Sequence, residues 1–351
     1  MKQKYILINA ALALFVAACG GATPTTDKTQ TLTVMTHDSF AVSEEVVAKF
    51  QEQHNVALQI ITSGDAGTVL SQAIINKDAP LADLIFGIDN TMLTRALKAD
   101  ILEPYSSPLL SEIAPEFKLD EMHRVTPVDY GDVCINYDKT YFRNNNLPIP
   151  DSLEDLIAPE YANLLVVENP AASSPGLAFL LATVGHFGQD GYLDFWSKLR
   201  ANGVKVVEDW ETAYFTEFSG SSGQGPYPLV VSYASSPPAE VIFAEDPPEE
   251  APTGSVVAPD TCFRQIEFVG ILHATENRDL AEAWIDFMLS PTFQNDVPMQ
   301  MFVFPVNPHA DLPAEFIQHA QLAAQPATVA PDDITKYREE WIEAWSNVML
   351  R

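Results

Sequence analysis

One stretch constrains this chain more than any other: Thr126 to Asp138, reading Thr-Pro-Val-Asp-Tyr-Gly-Asp-Val-Cys-Ile-Asn-Tyr-Asp. It lies between two segments that each read as an α/β lobe. Val128, Tyr130, Val133, Ile135 and Tyr137 make it apolar and β-prone, so it is expected to run extended. Pro127 biases Thr126 toward an extended backbone and cannot continue a helix. Gly131 interrupts the run where a backbone would come close to another group. The stretch is expected to cross from one lobe to the other along the floor of a cleft. An ordinary sheet strand would have the same composition, so the crossing depends on what flanks it.

Before it, Thr31 to Thr36 alternates like a strand and ends at His37-Asp38-Ser39-Phe40. Ser43 is placed to cap a helix whose apolar face carries Val46, Val47 and Phe50. A strand over Val56 to Thr62, a helix over Thr68 to Asn76 and a strand over Ala82 to Gly87 follow. That last strand stops before Ile88-Asp89-Asn90, and a helix over Thr91 to Ala99 comes next. This alternation predicts a parallel sheet with covered faces. Ligands bind at the carboxyl ends of such strands, so His37, Asp38, Ser39, Asp89 and Asn90 are candidate site residues.

After it, Asn163 to Glu168 reads as a buried strand. Ser174 fits a helix N-cap and Pro175 the first helical position, ahead of helices over Leu177 to Phe187 and Gly191 to Asn202. Free amides at that N-terminus would favour an anion such as phosphate, although capping alone explains the same residues. Trp210, beside Asp209 and Glu211, suits an aromatic-bound cation, and packing is an equally simple role for it. Leu229 to Ser232 is a strand ending at Tyr233-Ala234-Ser235-Ser236-Pro237, and Phe263 to Leu272 is the return crossing. Two amphipathic helices, Asp279 to Leu289 and Asp332 to Leu350, complete the pattern.

The chain opens Met1-Lys2-Gln3-Lys4, runs apolar to Ala18 and reaches Cys19. A basic start, a short apolar core and small residues before a cleavage point make residues 1–18 a signal peptide. Val16-Ala17-Ala18-Cys19 resembles a bacterial lipoprotein box, which makes Cys19 the lipidated residue, followed by a flexible tether over 19–30. Cys134 and Cys262 are then the remaining cysteines; an exported chain allows them to pair, and two buried thiols are the alternative. The formal charge of −29 disfavours nucleic acid and anionic surfaces as partners. The seven histidines are scattered without metal-ligand spacing. No Gly-x-Ser-x-Gly or His-Glu-x-x-His occurs, so nothing points to an exported hydrolase.

Taken in order, these pieces resemble the substrate-binding proteins of ABC importers, specifically the thiamine-binding group, from Leu32 to about Trp345. The carriers are Thr36-His37-Asp38-Ser39-Phe40, Gly87-Ile88-Asp89-Asn90, Asp129-Tyr130-Gly131 and Ser173-Ser174-Pro175-Gly176-Leu177. Trp210-Glu211-Thr212-Ala213-Tyr214, Ser232 to Pro237, Phe287 to Asn295 and Phe304-Pro305-Val306 extend the match. The resemblance implies a two-lobed α/β periplasmic-binding fold of type II, with ligand in the cleft. Residues 31–126 and 268–302 would form the first lobe, 127–267 and 303–351 the second. It implies a monomeric, non-enzymatic binder without cofactor or metal, lipid-anchored outside the cytoplasm, that hands ligand to permease subunits.

By the same resemblance, Asp38, Trp210 and Tyr233 match pocket positions, and Ser173, Ser174 and Gly176 match a phosphate-side turn. Asp129, Tyr130, Tyr214, Ser235 and Ser236 are candidates from the matching stretches. The chain departs from the family pattern at His37, where an aromatic is expected, and at Phe302, where a tryptophan is expected. A further tryptophan expected shortly after Phe40 is absent. The expected ligand is thiamine or a thiamine phosphate. A polyamine-like cation is the main alternative; ferric ion fits less well, because no Tyr-Tyr pair occurs.

Overall fold

A computed structural model describes residues 30–220 and 225–351. The leader, Cys19 and the tether up to residue 29 lie outside the described residues. Among the described residues, eleven strands form one continuous mixed sheet: β1 (Gln30–Thr36), β2 (Val56–Thr62), β3 (Leu84–Asp89), β4 (Leu102–Glu103), β5 (Thr126–Asp138), β6 (Leu165–Glu168), β7 (Lys205–Val207), β8 (Leu229–Tyr233), β9 (Thr253–Val256), β10 (Phe263–Leu272) and β11 (Phe304–Pro305). The helices are α1 (Glu44–His54), α2 (Ala66–Ile75), α3 (Leu93–Ala99), α4 (Lys139–Asn144), α5 (Ser174–Ala201), α6 (Pro237–Ile242), α7 (Arg278–Leu289), α8 (Pro291–Gln294), α9 (Val297–Gln300), α10 (Ala314–His319) and α11 (Pro331–Met349).

The main strand order is β2-β1-β3-β10-β5-β8-β6-β7. Its two outer groups, β2-β1-β3 and β8-β6-β7, are parallel. The middle is antiparallel: β10 pairs β3 on one side and β5 on the other, and β5 pairs β8. Two parallel groups of strands are therefore joined by two long antiparallel strands within one sheet. Both crossing strands, and β2, occupy the predicted residues.

Local chemistry sets most boundaries. The Ser43 side chain accepts from the Val46 amide, and Asp65 caps α2 by accepting from the Ala66 amide. At α5 the cap is Ser173, one residue before the expected Ser174, with Pro175 still in the first turn. The two helices expected over 177–202 are one element broken at Gly188, whose φ of 71° only glycine adopts readily. β3 runs through Ile88 and Asp89 rather than stopping before them, because their neighbours in β10 continue the ladder.

The sheet is buried on both faces. On one, Val34, Phe86 and Ile271 pack beneath Phe50 of α1 and Trp284, Ile285 and Met288 of α7. On the other, α2, α3, α5 and α11 share one apolar cluster, with Trp196 edge-on to Trp345 at 5.5 Å. Each large side chain buried this way contributes about 1.5–3 kcal/mol. Cys134 of β5 and Cys262, just before β10, are joined by a disulfide with Cα atoms 4.4 Å apart. The two crossing strands are thus covalently tied.

Candidate functional site

Where the crossing strands meet the outer groups, the chain leaves a cavity of about 620 Å³. One wall is the loop after β1, with Asp38, Ser39, Phe40 and Ala41, together with Gln300 at the end of α9 and Met301 and Phe302 after it. The opposite wall comes from the segment after β7, with Trp210, Glu211, Tyr214 and Phe215, and from Tyr233 and Ser236 at the end of β8. Ala239, Glu240 and Phe243 of α6 and its C-terminal end extend that second wall toward solvent.

The second wall's rings are held by specific contacts. After β7 the chain makes a π-helical turn over Thr212–Glu217, begun by the Thr212 amide donating to Asp209 Oδ1 at 2.7 Å. The wide turn presents Trp210, Glu211, Tyr214 and Phe215 to the same space, a use typical of such turns at binding sites. Trp210 Nε1 donates to Ser232 Oγ at 2.9 Å, and its ring stacks on Tyr214 at 5.1 Å and 21°. Tyr233 donates to Gln265 Oε1 at 3.2 Å. A Cβ on Gly131 would lie 3.0 Å from the Tyr233 ring. The glycine in the crossing strand therefore makes room for a ring of the cavity wall.

The walls carry the carboxylates of Asp38, Glu211 and Glu240, and no lysine or arginine is among the described residues lining the cavity. Burial, reinforced by Asp38 and Asp209, raises the Glu211 carboxyl. Burial and the Glu240 carboxylate push the Tyr214 phenol well up. Burial and the acidic groups Glu267 and Asp89 do the same to Tyr233. Both rings therefore stay neutral phenols. The cavity offers flat π faces with negative charge nearby, the combination that holds an organic cation.

A polar recess of about 40 Å³ opens from this cavity, sharing Asp38, Ser39, Trp210 and Tyr233 and adding His37, Asp65, Ser174 and Glu267. His37 Nε2 lies 3.4 Å from Glu267 Oε1. Burial works against charge on His37, but Glu267, Asp65 and Asp38 outweigh it and raise its pKa. A Cβ on Gly87 would strike the His37 ring at 2.4 Å, so this glycine admits the imidazole. The Ser174 amide, expected to be free, donates to Asp65 Oδ1 at 3.0 Å. The anion at this helix N-terminus is a carboxylate of the protein itself.

Of the sequence candidates, the structure thus gathers His37, Asp38, Ser39, Ser174, Trp210, Tyr214, Tyr233, Ser236 and Phe302 around one space. The others line neither cavity nor recess. Asp89 is buried, accepts from Thr91 and is bonded to the Ser174 hydroxyl. Asn90 ties β3 to β10 through Arg264 O and the Ile266 amide. Asp129 is buried opposite Glu267 in the sheet register. Tyr130 lies against Phe117, Phe304 and the Arg264 guanidinium. Ser173 caps α5, Gly176 sits on the Glu168 carbonyl, and Ser235 is buried beside Gly131. Sequence reasoning missed Glu240 and Phe243 as wall residues. Glu211 was visible only as an acidic neighbour of Trp210.

An α/β sheet split into two groups by crossing strands, with one ring-lined cavity between them, defines a two-lobed ligand-binding protein. Comparison with known proteins agrees. Residues 79–324 match the model of the bacterial extracellular solute-binding protein family, and the chain belongs to that family. It is 29% identical to the thiamine-binding periplasmic protein of Salmonella typhimurium, covering 100% of this chain and 100% of that one. It is 28% identical to the thiamine-binding periplasmic protein of Escherichia coli, covering 91% of this chain and 94% of that one. A solved periplasmic thiamin binding protein superposes with a TM-score of 0.80 at 26% identity, over 93% of this chain and 98% of that one.

Proposed function

We propose that this protein captures thiamine or a thiamine phosphate outside the cytoplasm and delivers it to the permease of an ABC importer. One observation carries the reading: a ring-lined cavity with three carboxylates and no opposing lysine or arginine on its described walls. The thiazolium of thiamine is a permanent cation that gains from Trp210 and Tyr233 faces and from Asp38. Polar atoms of its aminopyrimidine would reach Asp38, Ser39 and His37 at the mouth of the recess. Relatives named for thiamine over nearly the whole chain support the same ligand. No Tyr-Tyr pair occurs in the chain to supply the paired phenolates a ferric ion needs, which disfavours the iron alternative.

The protein acts as a binder, not an enzyme, and as a monomer. Its lobes divide at residues 31–126 with 268–302 and 127–267 with 303–351, and closure accompanies binding. Cleavage after Ala18 and acylation of Cys19 anchor it to the membrane. The deciding experiment is calorimetry with thiamine, its mono- and diphosphate, and spermidine. Saturable binding of a thiamine form is the expected result. Binding of spermidine alone would make the protein a polyamine binder. For the anchor, Cys19→Ala is expected to release the protein from membranes; unchanged membrane partition would refute lipidation.

A further inference from the structure

Phe243 stands out among the large apolar side chains because it is 73% exposed yet lines the ligand cavity. Exposed apolar residues are ordinary when scattered; this one is placed. It follows α6, which is anchored by buried Val241, so the ring projects past the end of a fixed helix. Across the mouth it meets Phe302 edge-on, with ring centroids 5.5 Å apart and planes at 67°. Phe302 comes from the other wall, where Met301 packs against the core beneath α7 and Val303 is buried.

Phe302 holds a φ of 55°. The left-handed region is unfavourable for a side chain of this size. Here the reversal leaves Val303 in the core while the Phe302 ring stays at the cavity edge. Two rings on opposite walls therefore touch over the opening, one on an exposed helix end and the other on a strained backbone. The largely solvated Phe243 ring is not held there by core packing. Contact between them joins the two walls of the cavity.

We infer that Phe243 is a positioning residue that forms an aromatic latch with Phe302, closing over a flat cationic heteroaromatic ligand and setting how slowly it leaves. The inference rests on the reading of the cavity as a thiamine site. The latch acts on departure rather than encounter, because the rings meet after the ligand is inside. Affinity differences of this kind appear mainly in dissociation rates.

The test is stopped-flow tryptophan fluorescence with thiamine on the mature protein, comparing wild type with Phe243→Ala, Phe243→Leu, Phe302→Ala and the double alanine variant. Phe243→Ala is expected to raise the dissociation rate about tenfold and leave association within about twofold. Phe243→Leu, which keeps apolar area without the π face, is expected to fall between. The double variant is expected to lose no more than the worse single one, since either ring alone cannot latch. The unfolding midpoint should not move, because the Phe243 ring is largely solvated. A dissociation rate within twofold of wild type, or fully additive losses, would overturn the latch while leaving thiamine binding intact. Absence of any thiamine signal in wild type would overturn the functional reading and the latch with it.

Discussion

The two walls of the cavity are built on different principles. The wall formed by the loop after β1 and the segment after α9 is thin, and its charged group, Asp38, is exposed on a turn. The wall from β7, β8 and α6 carries Trp210, Tyr214, Phe215, Tyr233 and Phe243. Hydrogen bonds to Ser232 and Gln265 fix two of these rings before any ligand arrives. A prepaid orientation of this kind lowers the ordering cost of binding. The contrast is one of order and exposure: the second wall carries pre-fixed rings together with Glu211 and Glu240, and the thinner wall adds the exposed Asp38.

The largest effect that would sharpen this contrast is covalent. The disulfide ties the crossing strands beneath the ring wall, spanning 128 residues of sequence. Cys134→Ser with Cys262→Ser is expected to cost on the order of 2–5 kcal/mol of stability in denaturant titration. Thiamine affinity at low temperature should be retained, because the bond lies outside the cavity lining. A count of two reactive thiols in denatured, unreduced wild type would contradict the bridge.

Next in size is a pH effect in the floor. Asp89, Glu267 and Asp129 are successive partners across β3, β10 and β5, an acidic row under the recess. Burial pushes the Asp89 carboxyl up to about 6, with hydrogen bonds from Ser174 and Thr91 pulling partly back. Burial, with Glu267 beside it, raises Asp129 well above the ordinary range. An exposed carboxyl titrates near 3.9, so between about pH 4 and pH 6 the folded form keeps a proton that the unfolded chain has lost. Stability is therefore expected to be highest below this window and to fall as pH rises through it, by on the order of 1–3 kcal/mol for Asp89. Asp89→Asn should flatten that slope in pH-dependent melts; an unchanged slope would remove Asp89 as its source.

The walls themselves give the smaller pair of effects. Trp210→Ala is expected to weaken thiamine binding by about 1–2 kcal/mol, roughly tenfold in Kd. Asp38→Asn on the opposite wall should lose less, about 0.5–1 kcal/mol, because an exposed carboxylate is screened by water and salt. Its loss should shrink further as salt is added, while that of Trp210→Ala should not. Calorimetry at two ionic strengths separates the two. Equal losses with equal salt dependence would erase the distinction between the pre-fixed rings and the exposed Asp38.

Much of the site was legible because family-like stretches end where the fold ends its strands. Asp38, Trp210 and Tyr233 all reach the cavity. Asp89 and Asp129 did not follow their neighbours, since both lie within strands, paired with Glu267 of β10 and buried in the sheet. Glu240 and Phe243 carried no sequence signal, because a short helix opening Pro237-Pro238 reads as packing until its end is seen at the cavity mouth.

The amino-acid sequence by itself determined the order and kind of the elements. Alternation in β1, the β-prone runs of β2, β5 and β10, the Ser43 cap and the apolar stripe of α7 are local signals, written within a few residues. Only the tertiary structure decided which side chains face the ligand space, that Asp65 already sits on the α5 N-terminus, and that Cys134 meets Cys262. Those outcomes depend on strand register and on contacts between residues far apart in the chain. One step of register reverses the direction of every side chain in a strand, and local composition does not fix that step.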